Sequence, residues 1–100
     1  YPNRDMAEKL AVKINSEQVY DYFELDATYS IFEIAVPEKW IGKTIRQTNP
    51  RTKYGINILT IKKDNKYMPT PTPDTMFESN DKIVVFGNTE QILLFTNKQK

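Results

Sequence analysis

The sequence predicts an α+β fold: an N-terminal linker helix, then a strand, a helix, three strands and a closing helix, forming one sheet covered mainly on one face. Three stretches carry that reading. In "YSIFEIAV", Tyr29 to Val36, Phe32, Ile34 and Val36 share one face while Ile31, Glu33 and Ala35 share the other, the period-two pattern of a half-buried strand. "INILTIK", Ile56 to Lys62, is rich in the β-branched residues that pack well on a pleated surface. In "RDMAEKLAVKI", by contrast, Met6, Ala7, Leu10, Ala11 and Ile14 recur at helical spacing, so that segment has one apolar face.

Taken in order, Asn3 is placed to N-cap the first helix, with Asp5 in its first turn. "NSEQ" interrupts the period, and "VYDYFEL", Val19 to Leu25, reads as a short strand or an extended link; residues 1–26 together form a connector. Pro37 ends the strand that follows. From Lys39, Trp40, Ile41, Thr44 and Ile45 fall on one side of a helix of about three turns, which Asn49-Pro50 stops because proline disfavours helical backbone at the residue before it. Gly55 permits a turn of positive φ before the β-branched strand, and Asp64-Asn65 predicts a tight hairpin.

The return strand carries Pro69, Pro71 and Pro73 at period two, so the three missing N–H groups lie on one side. Only an edge strand tolerates that, and Met68, Thr70 and Thr72 are left to pair with the strand before it. "PDTMFESND" is a turn region anchored by Met76 and Phe77. "KIVVFG", Lys82 to Gly87, is a nearly continuous apolar strand of the buried kind, closed by Gly87. Asn88 with Gln91 resembles a capping box for a last helix bearing Ile92, Leu93 and Phe95, whose "TNKQK" tail frays into solvent.

Length and composition narrow the function. One hundred residues hold one domain and one core, and 39% apolar with 27% charged residues is ordinary for a globular chain. The apolar runs fall far short of the roughly 20 residues that span a bilayer. A chain that starts at Tyr1, with neither an initiator Met nor a leader pattern, is expected to be a piece of a longer protein. Fourteen basic against thirteen acidic residues create no long-range field for a nucleic-acid polymer, although a small anion with one or two phosphates remains within reach. The absence of Cys removes disulfides and thiolate metal sites, which suits the cytoplasm; the absence of His removes the commonest general base and metal ligand. There is no Gly-rich phosphate loop and no nucleophile elbow, so no enzyme, metal or resident cofactor is expected.

Two residues stand out. Arg51 follows a helix end and precedes a strand, where a guanidinium either presents its planar fork to a phosphate or serves as an exposed structural cation. Asn57 offers donor and acceptor together, yet it shares a face with Leu59 and Ile61, so a satisfied amide at the end of the strand competes equally with a ligand contact. Ile45, Ile56 and Pro73 are routine core or edge residues singly; around Arg51 and Asn57 they make an apolar slot with a polar rim. The aromatic run Tyr20, Tyr22 and Phe23 reads as core or interface packing, and the acidic pairs Asp21/Glu24 and Asp74/Glu78 as solvated charge.

From "YSIFEIAVPEKWIGKTI" through "NPRTKYGINILTIKK" to "PTPTPDTMFESNDKIVVFG", the chain resembles the C-terminal regulator-of-conductance-of-potassium domain (RCK_C, or TrkA-C). The resemblance covers about Tyr29 to Phe95; Asn80-Asp81 stands where the family usually has Gly-Asp, a change to a turn. It implies a dimeric RCK_C ligand-binding domain over residues 27–100. The linker helix and extended segment, residues 1–26, would lead from a Rossmann-type N-terminal domain, as in KtrA-type cytosolic subunits of Ktr potassium transporters. The implied ligand is cyclic di-AMP, bound at a homodimer's two-fold interface and modulating transport by a membrane-embedded potassium-translocating subunit, with the protein held at the inner face of the cell membrane. By resemblance, Arg51 and Asn57 would hold phosphate or ribose-phosphate oxygens while Ile45, Pro50, Ile56 and Pro73 line the adenine slot; Pro50 stands where relatives often carry an aliphatic residue. The alternatives with this fold are an assembly module without a small ligand, in which Arg51 makes an intersubunit salt bridge, and the effector domain of a transcription factor, which the "RDMAEKLA" linker disfavours.

Overall fold

A computed structural model describes residues 18–98, so the predicted N-terminal helix lies outside the described residues. Five antiparallel strands form one sheet in the order β1-β2-β5-β3-β4: β1 (Val19–Glu24), β2 (Tyr29–Ala35), β3 (Ile56–Lys63), β4 (Lys66–Tyr67) and β5 (Lys82–Asn88). The alternation read in "YSIFEIAV" holds. Phe32 pairs with Val85 and Ile34 with Ile83, and all four are buried on the face that carries the core. "VYDYFEL" resolves to a strand rather than a loose link: β1 pairs with β2, and Tyr22 stacks on Phe32 with ring centroids 4.9 Å apart.

β5 lies between β2 and β3, with Ile83 and Val85 fully buried and Val84 and Phe86 only half-buried on the opposite face. Among the described residues that opposite face is left open. It exposes Phe23 and Tyr29, and Tyr29 stacks on Phe86 at 5.6 Å.

A register shift between Ile58 and Thr60 corrects the expected facing of β3. Leu59 is the extra residue of a bulge, so Ile56 and Ile61, five positions apart, both point into the core at 0% exposure. Asn57, paired with Phe86, therefore lies on the face opposite Ile61 instead of sharing one with it.

The single helix expected from Lys39 is also corrected. Glu38–Trp40 forms one 3-10 turn, Gly42 takes φ 85°, and α1 spans only Ile45–Thr48. The reason is tertiary: the backbone from Gly42 to Ile45 bonds to the later chain. The Gly42 N–H donates to the Phe77 carbonyl at 2.9 Å, that of Phe77 to the Lys43 carbonyl at 2.9 Å, and that of Ile45 to the Thr75 carbonyl at 3.0 Å. These bonds replace the helical ladder.

Asp64 and Asn65 make the hairpin with φ of 50° and 63°. The proline-rich return strand, however, stops at Tyr67. One further N–H, that of Met68, bonds to the Ile61 carbonyl at 2.9 Å, and the Thr60 hydroxyl donates to the Met68 carbonyl at 2.6 Å. With a proline at every second position beyond Met68, the chain leaves the sheet and Pro71–Pro73 becomes an irregular wall. Phe77 anchors the next turn at 0% exposure, whereas Met76, the other predicted anchor, is exposed.

The last helix, α3 (Thr89–Lys98), begins where the Asn88 Oδ1 accepts the Gln91 N–H at 3.0 Å. Its end does not fray at Thr96. That residue is buried and its hydroxyl donates to the Leu93 carbonyl at 2.9 Å. An aromatic cap joins these pieces: Trp40 lies 5.2 Å from Phe77 and 5.4 Å from Phe95, and Phe95 lies 4.8 Å from Tyr54.

Candidate functional site

The turn between α1 and β3 builds a concavity from short elements with strong local signals. Thr44 caps α1 in a reciprocal box: its hydroxyl accepts the Gln47 N–H at 3.2 Å, and its own N–H donates to Gln47 Oε1 at 2.8 Å. Asn49, at φ 48°, ends α1 in the left-handed region, and its N–H donates to the Ile45 carbonyl. Pro50 then occupies the first helical position of α2 (Pro50–Tyr54), where its lack of an N–H costs nothing. Gly55, at φ 70°, closes α2 and turns the chain directly into β3.

Arg51 is thus a helical residue one turn before β3 rather than a loop residue. Its guanidinium donates from Nη2 to Asn57 Oδ1 at 3.0 Å. The bond links the two side chains: it takes one lone pair of the amide oxygen and leaves its NH₂ as donor, and the guanidinium keeps further N–H groups for an anion. Around them is a concavity of about 350 Å³, within the range of small-molecule pockets. Ile45, Pro50, Arg51, Ile56, Asn57 and Pro73 all line it. Pro50 and Ile56 are buried, Ile45 and Asn57 half-buried, and Arg51 and Pro73 exposed.

Sequence reasoning passed over other lining residues, above all Arg46, Asn49 and Thr72. Arg46 Nη2 donates to Asp74 Oδ1 at 3.2 Å; Asp74 follows the lining residue Pro73 and does not itself line the slot. The signal for Asn49 was its place before proline, which marked a helix end without showing that a second helix begins at once.

A second concavity, of about 510 Å³, includes Glu38, Asp81 and Lys82. Two of its charged groups, Asp81 and Lys82, already have partners within the protein. Asp81 accepts from Lys63 and from the Glu78 N–H, and Lys82 sits 4.3 Å over the Tyr20 ring. Partial burial alone would lower the Lys63 pKa, but the hydrogen bonds and charges of Asp81 and Glu78 outweigh it and hold the ammonium above the usual lysine value. In the Arg51 slot, by contrast, the guanidinium and the Asn57 amide keep N–H donors for a ligand. Among the described residues no group of acidic side chains is arranged to hold a metal ion, and no helix is long and apolar enough to cross a membrane.

Known proteins share this architecture. The chain is 34% identical over 98 residues to Ktr system potassium uptake proteins C and A of Bacillus subtilis (strain 168); the match covers 98% of the chain and 44% of each relative's length. Among solved structures it resembles the RCK C domain of KtrA in complex with cyclic diadenosine monophosphate, with a TM-score of 0.65 and 30% identity over 70% of this chain and 82% of that one. It also resembles the RCK_C domain dimer of S. agalactiae BusR in complex with the same dinucleotide, with a TM-score of 0.58 and 26% identity over 67% and 89% of the two chains. Residues 29–100, which include four of the five strands and every residue of the slot, match the TrkA-C domain, and the chain belongs to that family, also known as RCK_C.

Proposed function

We propose that this domain is the cyclic di-AMP receptor of a KtrA-type subunit of a potassium uptake system, working as a homodimer. The observation that carries the reading is the Arg51–Asn57 hydrogen bond, which orients two sets of N–H donors within a slot walled by Ile45, Pro50, Ile56 and Pro73. Arg51 and Asn57 take phosphate or ribose-phosphate oxygens, and the apolar wall takes an adenine. Two such half-sites related by a two-fold axis match a ligand with two phosphates and two adenines. A ligand that bridges two subunits favours one dimer geometry, and that differential affinity is the means by which it modulates transport through a membrane-embedded potassium-translocating subunit. In this reading residues 27–100 form the ligand-binding domain, residues 1–26 link it to a Rossmann-type domain in a ring, and the protein sits at the cytoplasmic face of the membrane.

Titration of the chain with cyclic di-AMP by calorimetry tests this, alongside Arg51→Ala and Asn57→Ala. The wild type binds at up to about tens of micromolar ligand, and each substitution weakens binding by about tenfold or more, since each removes hydrogen bonds to a charged group. A wild type that takes up no heat over that range refutes the receptor role. Binding that survives both substitutions relocates the site.

The open face of the sheet favours a second reading, an assembly module without a small ligand. Phe23 is 62% and Tyr29 44% exposed on that face, a surface suited to another protein. A dimer that forms normally in ultracentrifugation and never responds to cyclic di-AMP would support it.

A further inference from the structure

The slot carries a second guanidinium, that of Arg46, and it is held differently from that of Arg51. Arg51 rests on a neutral amide that lines the slot, whereas Arg46 rests on a carboxylate just beyond the lining residue Pro73, Nη2 to Asp74 Oδ1 at 3.2 Å. Both backbones of that pair are fixed. The Arg46 N–H donates to the Pro73 carbonyl at 2.8 Å and the Ile45 N–H to the Thr75 carbonyl at 3.0 Å, so the start of α1 is tied to the chain on either side of Asp74. The side chains are not fixed in the same way: they are 67% and 80% exposed, and an ion pair so well solvated contributes little net stability. Exchanging Asp74 for a phosphate therefore costs Arg46 little and asks only for rotation about its side-chain bonds. Left in place without its partner, Asp74 would repel an anionic ligand.

We propose that Arg46 is a further phosphate-binding residue of the slot, and that Asp74 competes with the ligand for it, so the Arg46–Asp74 pair sets the affinity. This rests on the cyclic di-AMP reading. Arg46 and Arg51 stand on consecutive short helices on either side of Asn49 and line the same cavity, so one anionic group meets donors from both. Ligand-free, Asp74 holds Arg46 at the rim; in the complex the phosphate replaces the carboxylate.

Calorimetric titration of the chain with cyclic di-AMP, at low and at high salt, tests the pair. Arg46→Gln weakens binding by about tenfold and flattens its salt dependence, because one charge-assisted hydrogen bond is lost. Asp74→Asn tightens binding by about threefold at low salt, and that gain shrinks in the Arg46→Gln background. Both residues are exposed, so circular dichroism melts of the variants stay close to wild type. If Arg51→Ala abolishes binding while Arg46→Gln leaves affinity and salt dependence unchanged, the role of Arg46 is wrong and the receptor reading stands. Weaker binding in Asp74→Asn overturns the competition by showing that the pair preorganises the slot. A wild type that binds no cyclic di-AMP removes both readings together.

Discussion

Asp26 shows how a single side chain shapes the entry to the sheet. Its Oδ1 accepts the N–H groups of Thr28 at 2.7 Å and Tyr29 at 2.8 Å, closing the turn that delivers β2 to β1. These two bonds, led by that from Tyr29, hold its carboxyl below the ordinary value of 3.8. A folded pKa lower than the unfolded one adds stability above the unfolded value, and the gain disappears as pH falls through the folded one. Asp26→Ala is thus less stable than wild type at pH 7, and the two melting curves draw together as pH falls below the ordinary carboxylate range. A gap that stays constant with pH would mean that the turn does not depend on the carboxylate. Arg51 and Asn57 are the other pair resolved at this scale: the competing readings of the amide, satisfied within the protein or presented to a ligand, are not exclusive, because its oxygen serves Arg51 while its NH₂ remains to donate.

At the scale of elements, the slot exists because α1, α2 and β3 follow one another with almost no connecting chain. Asn49 and Gly55 make this possible by taking φ of 48° and 70° at the two junctions. A Cβ on Gly55 would meet nothing within 4 Å, so Gly55→Ala carries only the strain of left-handed backbone and costs about 1–2 kcal/mol in urea unfolding. A neutral effect would show that the junction relaxes freely. Gly87 acts differently. The apolar run of the sequence ends at Gly87, but β5 continues to Asn88, and a Cβ on Gly87 would lie 3.1 Å from the Gly55 carbonyl oxygen. The glycine is needed for close approach of two backbones, and only the pairing of Ile56 with Gly87 reveals it.

Across the whole molecule, the aromatic cap links the slot to the core. Trp40, 2% exposed, touches Phe77 and Phe95 and lies 6.0 Å from Tyr54, the last residue of α2. It therefore joins the 3-10 turn, the slot helix, the loop after the prolines and the closing helix. Trp40→Ala lowers unfolding stability by about 3–5 kcal/mol, followed by far-UV circular dichroism because the chain has no other tryptophan. A loss near zero would mean that the cap packs without holding these elements together.

The sequence by itself determined β2, β5 and the Asp64-Asn65 hairpin, and it named six of the residues that line the slot, because period-two burial, paired positive-φ turn residues and a family resemblance are all local in the chain. It could not decide the bulge at Leu59, which depends on where β5 pairs and reverses the facing of Ile61 relative to Asn57. Nor did it show that Gly42 to Ile45 would bond to residues 75–77 instead of continuing a helix, or that the proline segment would leave the sheet to wall the slot. Backbone donors and acceptors take whichever partners the folded chain brings to them, and for these segments the partners lie some 30 residues away, beyond the reach of any local pattern.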